Sequence, residues 1–201
     1  SHAALLPAHS RLSPDALLHA AELLAARPDL ELIYTDEDRM DDAGTRSEPA
    51  FKPDWSPALA LSGLYPGQLC LLHRARLAAT GGFREEFNLV PGYDALLRLA
   101  DLLPAGRVGH APFVCHHARA SVPATVDLAD LAIEQGRAAL LDALRRRGWP
   151  AEPFFPETAH RCRRNYHQLH WASSTLARLP FTLAIPTRDP PPPLPARFDL
   201  P

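Results

Sequence analysis

The sequence predicts an α/β fold that ends in a C-terminal helix and an extended proline-rich tail. The first 35 residues alternate an apolar strand, an amphipathic helix and a second apolar strand, which is the pattern of a crossover unit in a layered sheet. Residues 127–147 have the composition of one long helix, acidic at its start and basic at its end. Four consecutive prolines at residues 190–193 favour an extended polyproline conformation that resists packing.

The crossover unit begins with an apolar run at residues 3–6, which predicts a short buried strand. A helix then starts at Ser13, a favourable N-cap, and ends before Pro28. Residues 30–35, rich in Leu, Ile and Tyr, predict a strand of the kind buried in a parallel sheet. Ligands of open sheets bind beyond the carboxyl ends of the strands, which here are residues 7–10 and 36–38.

The remaining elements are predicted from turn residues and apolar spacing. Prolines within residues 51–57 indicate a shaped surface loop, which is a candidate for ligand recognition. The long helix is expected to pack on the preceding domain through Leu131, Leu140 and Leu144. The other predicted elements are helices at residues 74–80 and 93–103, and strands at 108–111, 113–116 and 181–185.

Composition excludes several classes of protein. The 201 residues are 46% hydrophobic and 22% charged, which is typical of a folded globular chain. A net charge of -2 provides no attraction to nucleic acid, and no apolar run approaches the ~20 residues of a membrane-spanning helix. Three widely spaced cysteines do not suggest a secreted disulfide framework. We therefore expect a reducing, cytoplasmic location.

Four motifs follow one another along the chain: Tyr-Thr-Asp-Glu-Asp at residues 34–38, Phe-Lys-Pro-Asp-Trp at 51–55, Gly-Gly-Phe-Arg-Glu at 81–85, and Tyr-Asp with Leu-Arg over 93–98. In this order and spacing they resemble the bacterial family-two glycosyltransferases that build surface polysaccharides, especially members with tandem transferase domains. The resemblance covers about residues 3–150. It returns at residues 185–189, which are similar to the first strand of a following transferase domain.

The resemblance implies part of a nucleotide-diphospho-sugar transferase (GT-A) fold with three layers. The implied division is a metal- and acceptor-side part of a transferase domain at residues 1–121, a helical extension packed on it at 122–150, and a linker, a strand of a second domain and the tail at 151–201. Apolar strand residues stand at the very start with no turn before them, so we expect the chain to begin inside a larger domain.

The resemblance also implies substrates and a cofactor. The substrates are a nucleotide-sugar donor and a glycan acceptor, whose hydroxyl proton is taken by a carboxylate base. The cofactor is a divalent metal, Mn²⁺ or Mg²⁺, which offsets the negative charge that builds on the leaving diphosphate. A neighbouring transferase domain is a further implied partner. The implied location is the cytoplasm, either free or peripheral at the inner face of a bacterial membrane.

Two candidate metal ligands follow from the alignment of motifs. The family carries an Asp-rich turn after the strand that aligns with residues 5–6, but this chain has Pro-Ala-His-Ser at residues 7–10. His9 is therefore a candidate ligand for Mn²⁺ or a softer metal, and the alternative is a surface turn without a ligand. His117 aligns with a second family ligand, and Arg119 beside it is a candidate for contact with phosphate oxygens. The alternative for this pair is a half-exposed strand end.

The expected catalytic base is replaced in this sequence. The family has Asp, any residue and Asp before a leucine-rich helix, whereas this chain has Gly92, Tyr93 and Asp94. Asp94 is the remaining candidate base, and the alternative is a structural carboxylate at a helix start. A glycine pair permits close approach of a sugar, or ends a helix. The substrate-binding candidates in these motifs are Tyr93, Arg98, Gly81 and Gly82.

The two earlier motifs provide four more substrate-binding candidates. Asp36 and Asp38 follow the predicted strand and are candidates for binding metal or sugar hydroxyls, with a solvated loop as the alternative. Lys52 is a candidate for binding phosphate. Trp55 is a candidate for stacking on the C–H face of a sugar ring, and the alternative is packing against the sheet as part of the core.

A basic segment at residues 160–170, outside the resemblance, contains four potential metal ligands. These side chains suggest binding of zinc or RNA, but their spacing matches no standard zinc signature. A solvated connector is the alternative that we favour. We therefore expect no nucleic-acid partner. The four side chains are His160, Cys162, His167 and His170.

Two functions are compatible with the sequence. The first is a glycosyltransferase-related chain whose parent protein transfers sugar from a nucleotide-sugar to a glycan acceptor in surface polysaccharide synthesis. Because the Asp-rich turn and the expected base are altered, we expect this chain to be inactive alone. The second is a non-catalytic glycosyltransferase-like module that binds sugar or supports a neighbouring domain.

Overall fold

The computed structural model describes residues 1–104, 106–119, 126–157, 159 and 166–172. Contacts divide the chain into a compact unit, Ser1–Trp171, and a unit Ala172–Pro201, of which only Ala172 is described. The described strands are β1 (His2–Ala3), β2 (Arg11–Leu12), β3 (Leu32–Met40), β4 (Arg46–Ala50), β5 (Cys70–His73), β6 (Val108–Arg119), β7 (Ala151–Phe154) and β8 (Gln168–Trp171). The described α-helices are α1 (Ala16–Ala26), α2 (Pro57–Ala60), α3 (Arg74–Ala79), α4 (Pro91–Ala100) and α5 (Val126–Arg147).

The larger sheet is mixed, with strand order β1-β5-β3-β6-β2, and β4 pairs with the outer half of β3. The two long central strands, β3 and β6, run parallel, whereas the other pairings are antiparallel. Residues 32–36 of β3 are buried, as expected for a central strand between two neighbours. The α/β class predicted from the sequence is therefore confirmed, with a sheet that is mixed and not purely parallel.

Helices cover both faces of this sheet. Successive residues of a strand point to opposite faces, and on one face Leu72 of β5 shares a core cluster with Leu96 of α4. On the other face, Cys115 of β6 clusters with Ala16 of α1. A further cluster, which includes Leu97 of α4 and residues of α5, places α4 between the sheet and α5.

Several predicted elements differ from the observed ones. The first strand is shorter than predicted, and Leu5 and Leu6 beyond it are 46% and 36% exposed instead of buried. The strands predicted at residues 108–111 and 113–116 form one strand, because a register shift lets the residues around Pro112 bulge out of the pairing with β3. On α5, Leu140 and Leu144 are buried as predicted, but Leu131 is 51% exposed.

Five observed strands, β2, β4, β5, β7 and β8, were not predicted. Strand β4 is polar and exposed along most of its length, so it lacks the apolar alternation that marks a strand in a sequence. Strands β7 and β8 form a separate antiparallel pair, and β7 contacts α5. The predicted strand at residues 181–185 and the proline-rich tail lie outside the described residues. The predicted domain boundaries near residues 121 and 150 stay predictions.

Candidate functional site

The main cavity has a volume of about 950 Å³ and opens beside the start of α4. It lies between the segment that follows β1, the loop between α2 and β5, and the first turn of α4. Its wall is largely apolar and includes Leu5, Leu6, Leu64, Phe83, Val90 and Leu96. Its polar or aromatic lining includes Glu37, Ser62, Tyr65, Gln68 and Tyr93. A largely apolar cavity with a few polar groups is the usual form of a small-molecule site.

Glu37 is the ionised side chain that lines this cavity among the described residues. Its Oε2 accepts a hydrogen bond from the Gln68 amide at 3.1 Å, and the same oxygen lies 3.3 Å from His116 Nδ1 and 3.4 Å from Lys52 Nζ. Burial alone raises the pKa of the Glu37 carboxyl, but the contacts with His116, Lys52 and Gln68 lower it to about 2. The carboxylate is therefore held in place and charged at neutral pH.

Lys52 is a buried structural residue, with a side chain only 5% exposed. Its ammonium donates to the carbonyls of Thr35 and Pro66, both at 2.7 Å, and pairs with Glu37. Burial lowers the pKa of Lys52, although the nearby Glu37 carboxylate opposes this effect. Because these three acceptors match the three protons of the ammonium, the geometry does not favour the predicted contact of Lys52 with phosphate.

Asp36 and Asp38 are buried within β3, so the interpretation of this segment as a solvated loop is wrong. Asp36 Oδ1 accepts from the Lys52 amide at 3.0 Å and lies 2.9 Å from His110 Nε2. Asp38 accepts from Arg46 Nε at 2.6 Å and contacts His117 Nδ1. Both carboxylates thus join β3 to neighbouring segments, and neither lines the main cavity among its described residues.

Trp55 is half-buried and packs against the core cluster that contains Leu32 and Tyr34. Its ring stacks on Tyr65 with centroids 6.0 Å apart. This position favours the interpretation of Trp55 as a core residue over a sugar-stacking one. Tyr65, not Trp55, is the member of this aromatic pair that lines the main cavity.

Asp94 is 1% exposed and lies at the centre of an ion cluster. It accepts from Arg84 Nε at 3.2 Å and Arg98 Nη2 at 2.6 Å, and Arg84 Nη2 also contacts it. Burial alone raises the pKa of the Asp94 carboxyl, but the two arginines outweigh burial and hold it below its usual value. Asp94 is not among the described residues that line the main cavity. The geometry favours the structural interpretation of Asp94 over the catalytic one.

Arg98 connects this cluster to the glycine pair. Its guanidinium donates to the carbonyls of Thr80 and Gly82, both at 2.6 Å, and it is 7% exposed. Gly81 and Gly82 both have positive φ, 89° and 73°, which ends α3 in a turn that other residues adopt at a cost. Arg98 and the two glycines therefore build the turn that precedes Phe83, and Phe83 lines the main cavity.

Gly92 and Tyr93 are the residues of the base motif that line the main cavity. The Tyr93 hydroxyl donates to the Leu61 carbonyl at 2.9 Å, and burial raises the pKa of this phenol. Gly92, at the position where the resemblance implies a catalytic base, thus lines the cavity without a side chain. Cys70 also lines the cavity, and burial raises the pKa of its thiol to about 12, so it is not an activated nucleophile.

A second cavity of about 250 Å³ lies at the carboxyl ends of the parallel strands β3 and β6. It brings together His9, His117 and Arg119, as the resemblance implies. Arg119 Nη2 donates to Asp42 Oδ2 at 2.9 Å, so part of its charge is already paired. The turn at residues 7–10 separates the two cavities, because Pro7 lines the main cavity and Ala8 the second.

The second cavity provides an incomplete set of metal ligands. The contact between His117 and the Asp38 carboxylate is the usual outer-shell arrangement of a metal-binding histidine, so His117 fits as one ligand. However, no group of three His, Cys, Asp or Glu side chains is placed to hold a metal within the part of the chain that the structure describes.

Sequence reasoning missed three residues of this region. Glu37 lies within the first motif and Arg84 within the third, whereas Tyr65 lies in none of the four motifs. Each is recognisable only once distant segments are placed together, as in the contact of Glu37 with His116. Of the basic segment, His160 and Cys162 lie outside the described residues, whereas His167 is buried and His170 stacks on Phe154 with ring centroids 4.7 Å apart.

Comparisons with known proteins relate most of the chain to longer bacterial proteins. Over 154 residues, 75% of this chain, it is 40% identical to the O-antigen biosynthesis protein RfbC of Myxococcus xanthus. Over 149 residues, 73% of the chain, it is 36% identical to the uncharacterized protein y4gI of Sinorhizobium fredii. The matched regions are only 12% and 16% of those two proteins. No protein-family model matches the chain. Among the described helices, none is long and apolar enough to cross a bilayer.

Proposed function

We propose that this chain is part of a glycosyltransferase-type protein of bacterial surface polysaccharide synthesis, and that its main cavity binds saccharide. The similarity to RfbC over 75% of the chain carries this proposal. The placement of the base motif supports it, because Gly92 and Tyr93 line the cavity where an acceptor hydroxyl would need a base.

The chemistry of the cavity suits a sugar ring. Apolar walls and the Tyr65 ring offer surfaces for the C–H faces of a pyranose, while Glu37 and Ser62 offer partners for its hydroxyl groups. In the parent protein the ligands would be a nucleotide-sugar donor and a glycan acceptor. A divalent metal, Mn²⁺ or Mg²⁺, would draw on His117, with His9 in the same cavity.

The second candidate function is a non-catalytic module that binds sugar or supports a neighbouring transferase domain. Two observations favour it for this chain. Gly92 faces the cavity without a carboxylate, and Asp94 is buried in an ion cluster with both oxygens bound to arginines. General acid-base catalysis is worth ~10² to 10⁴ in rate, so a chain that lacks the base is expected to bind without efficient transfer.

A transfer assay separates the two candidates. Radiolabelled nucleotide sugars and glycan acceptors would be incubated with the unaltered chain, with Asp94→Asn and with Gly92→Asp, which places a carboxylate at the cavity. We expect saccharide binding and no transfer by the unaltered chain. Transfer by the unaltered chain that is abolished by Asp94→Asn, in a variant that remains folded, would make Asp94 the base and contradict our interpretation. The absence of any binding of nucleotide sugars or saccharides would contradict the proposed function itself.

A further inference from the structure

Glu37 lines the main cavity, and its two carboxylate oxygens differ in their contacts. Its hydrogen bond from the Gln68 amide and its closest approaches to His116 and Lys52, at 3.1 to 3.4 Å, all involve Oε2. Its side chain is 24% exposed and lines the cavity. Within the described part of the chain, Oε1 accepts no hydrogen bond and can accept from a ligand.

The backbone at Gly67 lies very close to the Glu37 carboxylate. Gly67 has φ of 83°, and a Cβ at this position would lie 2.4 Å from Glu37 Oε2 and 2.1 Å from Lys52 Nζ. Only glycine permits so close an approach. The Lys52 ammonium donates to two backbone carbonyls and pairs with Oε2. Lys52 does not line the cavity, so its charge stabilises the Glu37 carboxylate and is not available to a ligand.

The described lining of the cavity holds no cation that would balance an anionic ligand. Its described lining residues include no Lys, Arg or His, whereas they include the Glu37 carboxylate. A uronic acid or a phosphate placed there would face a negative charge in a largely apolar surrounding, where repulsion is stronger than in water. A hydroxyl group, by contrast, donates to a carboxylate in a charge-assisted hydrogen bond.

We propose that Glu37 is the specificity-determining residue of the main cavity, where its Oε1 accepts hydrogen bonds from hydroxyl groups of an uncharged sugar and excludes uronic acids and phosphate. This inference rests on the proposed function, because it takes saccharide as the ligand of the cavity. The diphosphate of a nucleotide sugar would then lie outside this cavity.

Matched glycosides test the inference. Methyl glucoside and methyl glucuronide differ only in a carboxylate at C6, and methyl galactoside and methyl galacturonide form a second pair. Saturation-transfer NMR at pH 7 would measure their affinities for the unaltered chain, for Glu37→Gln and for the control Asp54→Asn. Asp54 has a side chain that is 99% exposed and does not line the cavity. Circular dichroism would confirm that both variants are folded.

The unaltered chain is expected to bind each neutral glycoside at least about tenfold more tightly than its uronic acid, as a charged hydrogen bond is exchanged for repulsion. In Glu37→Gln we expect the affinity for neutral glycosides to weaken about tenfold, and the difference in affinity between neutral glycosides and uronic acids to become smaller. The affinities of Asp54→Asn are expected to match those of the unaltered chain. Equal binding of the two members of each pair by the unaltered chain would overturn the inference without any variant. If neutral glycosides bind but Glu37→Gln behaves like the unaltered chain, the inference fails and the proposed function stands. If no glycoside binds, the proposed function fails.

Discussion

The Asp94 cluster provides a sharp test of the structural interpretation. Replacing Asp94 by Asn removes the negative charge between two arginines while keeping the size of the side chain. Arg84 is 26% exposed and retains Asp142 at 2.8 Å, so it keeps a partner. Arg98 is 7% exposed and loses the one carboxylate that it pairs with among the described residues. The expected cost is dominated by the buried and uncompensated charge of Arg98.

Removing one partner of a buried ion pair costs 3–5 kcal/mol, and the carbonyl contacts of Arg98 place this case at the lower end. We expect Asp94→Asn to lose about 3 kcal/mol in the free energy of unfolding, measured by denaturant titration. For a domain of this size that corresponds to a fall of about 6 to 12 °C in melting temperature.

The matched control is Glu134→Gln on helix α5. Glu134 has a side chain that is 62% exposed and pairs with Arg137 at 3.1 Å, so the variant is expected to change stability by less than about 0.5 kcal/mol. If Asp94→Asn remained within about 1 kcal/mol of the unaltered chain, Asp94 would not be the structural centre of this cluster. Its role as a base would then have to be reconsidered.

Three further predictions concern Gly67, His167 and His117. Gly67→Ala is expected to lose about 1–3 kcal/mol more stability than Gly44→Ala in denaturant titrations. Both glycines have φ near 85°, but of these two only Gly67 has a position where a Cβ would meet Lys52 and Glu37. Equal losses in the two variants would show that the protein relieves this contact. Burial lowers the pKa of His167 to about 4 from 6.5, so the unfolded chain binds the proton first and stability should fall as the pH drops from about 6.5 towards 4. Thermal scans across this range should show a shallower slope for His167→Phe, and an unchanged slope would assign the effect to other groups. His117→Ala is expected to weaken binding of Mn²⁺ with a nucleoside diphosphate in calorimetry, and an unchanged isotherm would remove His117 as a ligand.

The apolar parts of the fold were predictable from local sequence. Strand β3 was found because residues 30–35 form a continuous apolar run, and α5 because its charges match the helix dipole. The polar half of β3 was not found, since Asp36 and Asp38 are buried only through partners such as His110 and His117 far along the chain. Periodicity cannot identify polar residues that pair across such sequence separations.

The candidate site was predictable in part, because the motifs identified its segments but not which side chains line the cavity. Tyr93 lies there, whereas Lys52 and Asp94 form buried contacts elsewhere. A motif does not show whether the charge of its lysine or aspartate faces a ligand or is paired with another residue of the protein. Glu37 shows the converse, because its position in the cavity depends on Gly67, which lies outside the four motifs.

The most direct test of the account is to locate the saccharide on the chain. Selective ¹³C labelling of Leu and Val methyl groups would allow an NMR titration with methyl glucoside, methyl galactoside and their disaccharides. We predict saturable shifts of the methyl resonances of Leu64, Val90 and Leu96, which line the main cavity, and no shifts for the exposed Leu17 and Leu128. Saturable shifts confined to residues outside the cavity, or no shifts with any of these sugars, would contradict the claim that this cavity binds saccharide.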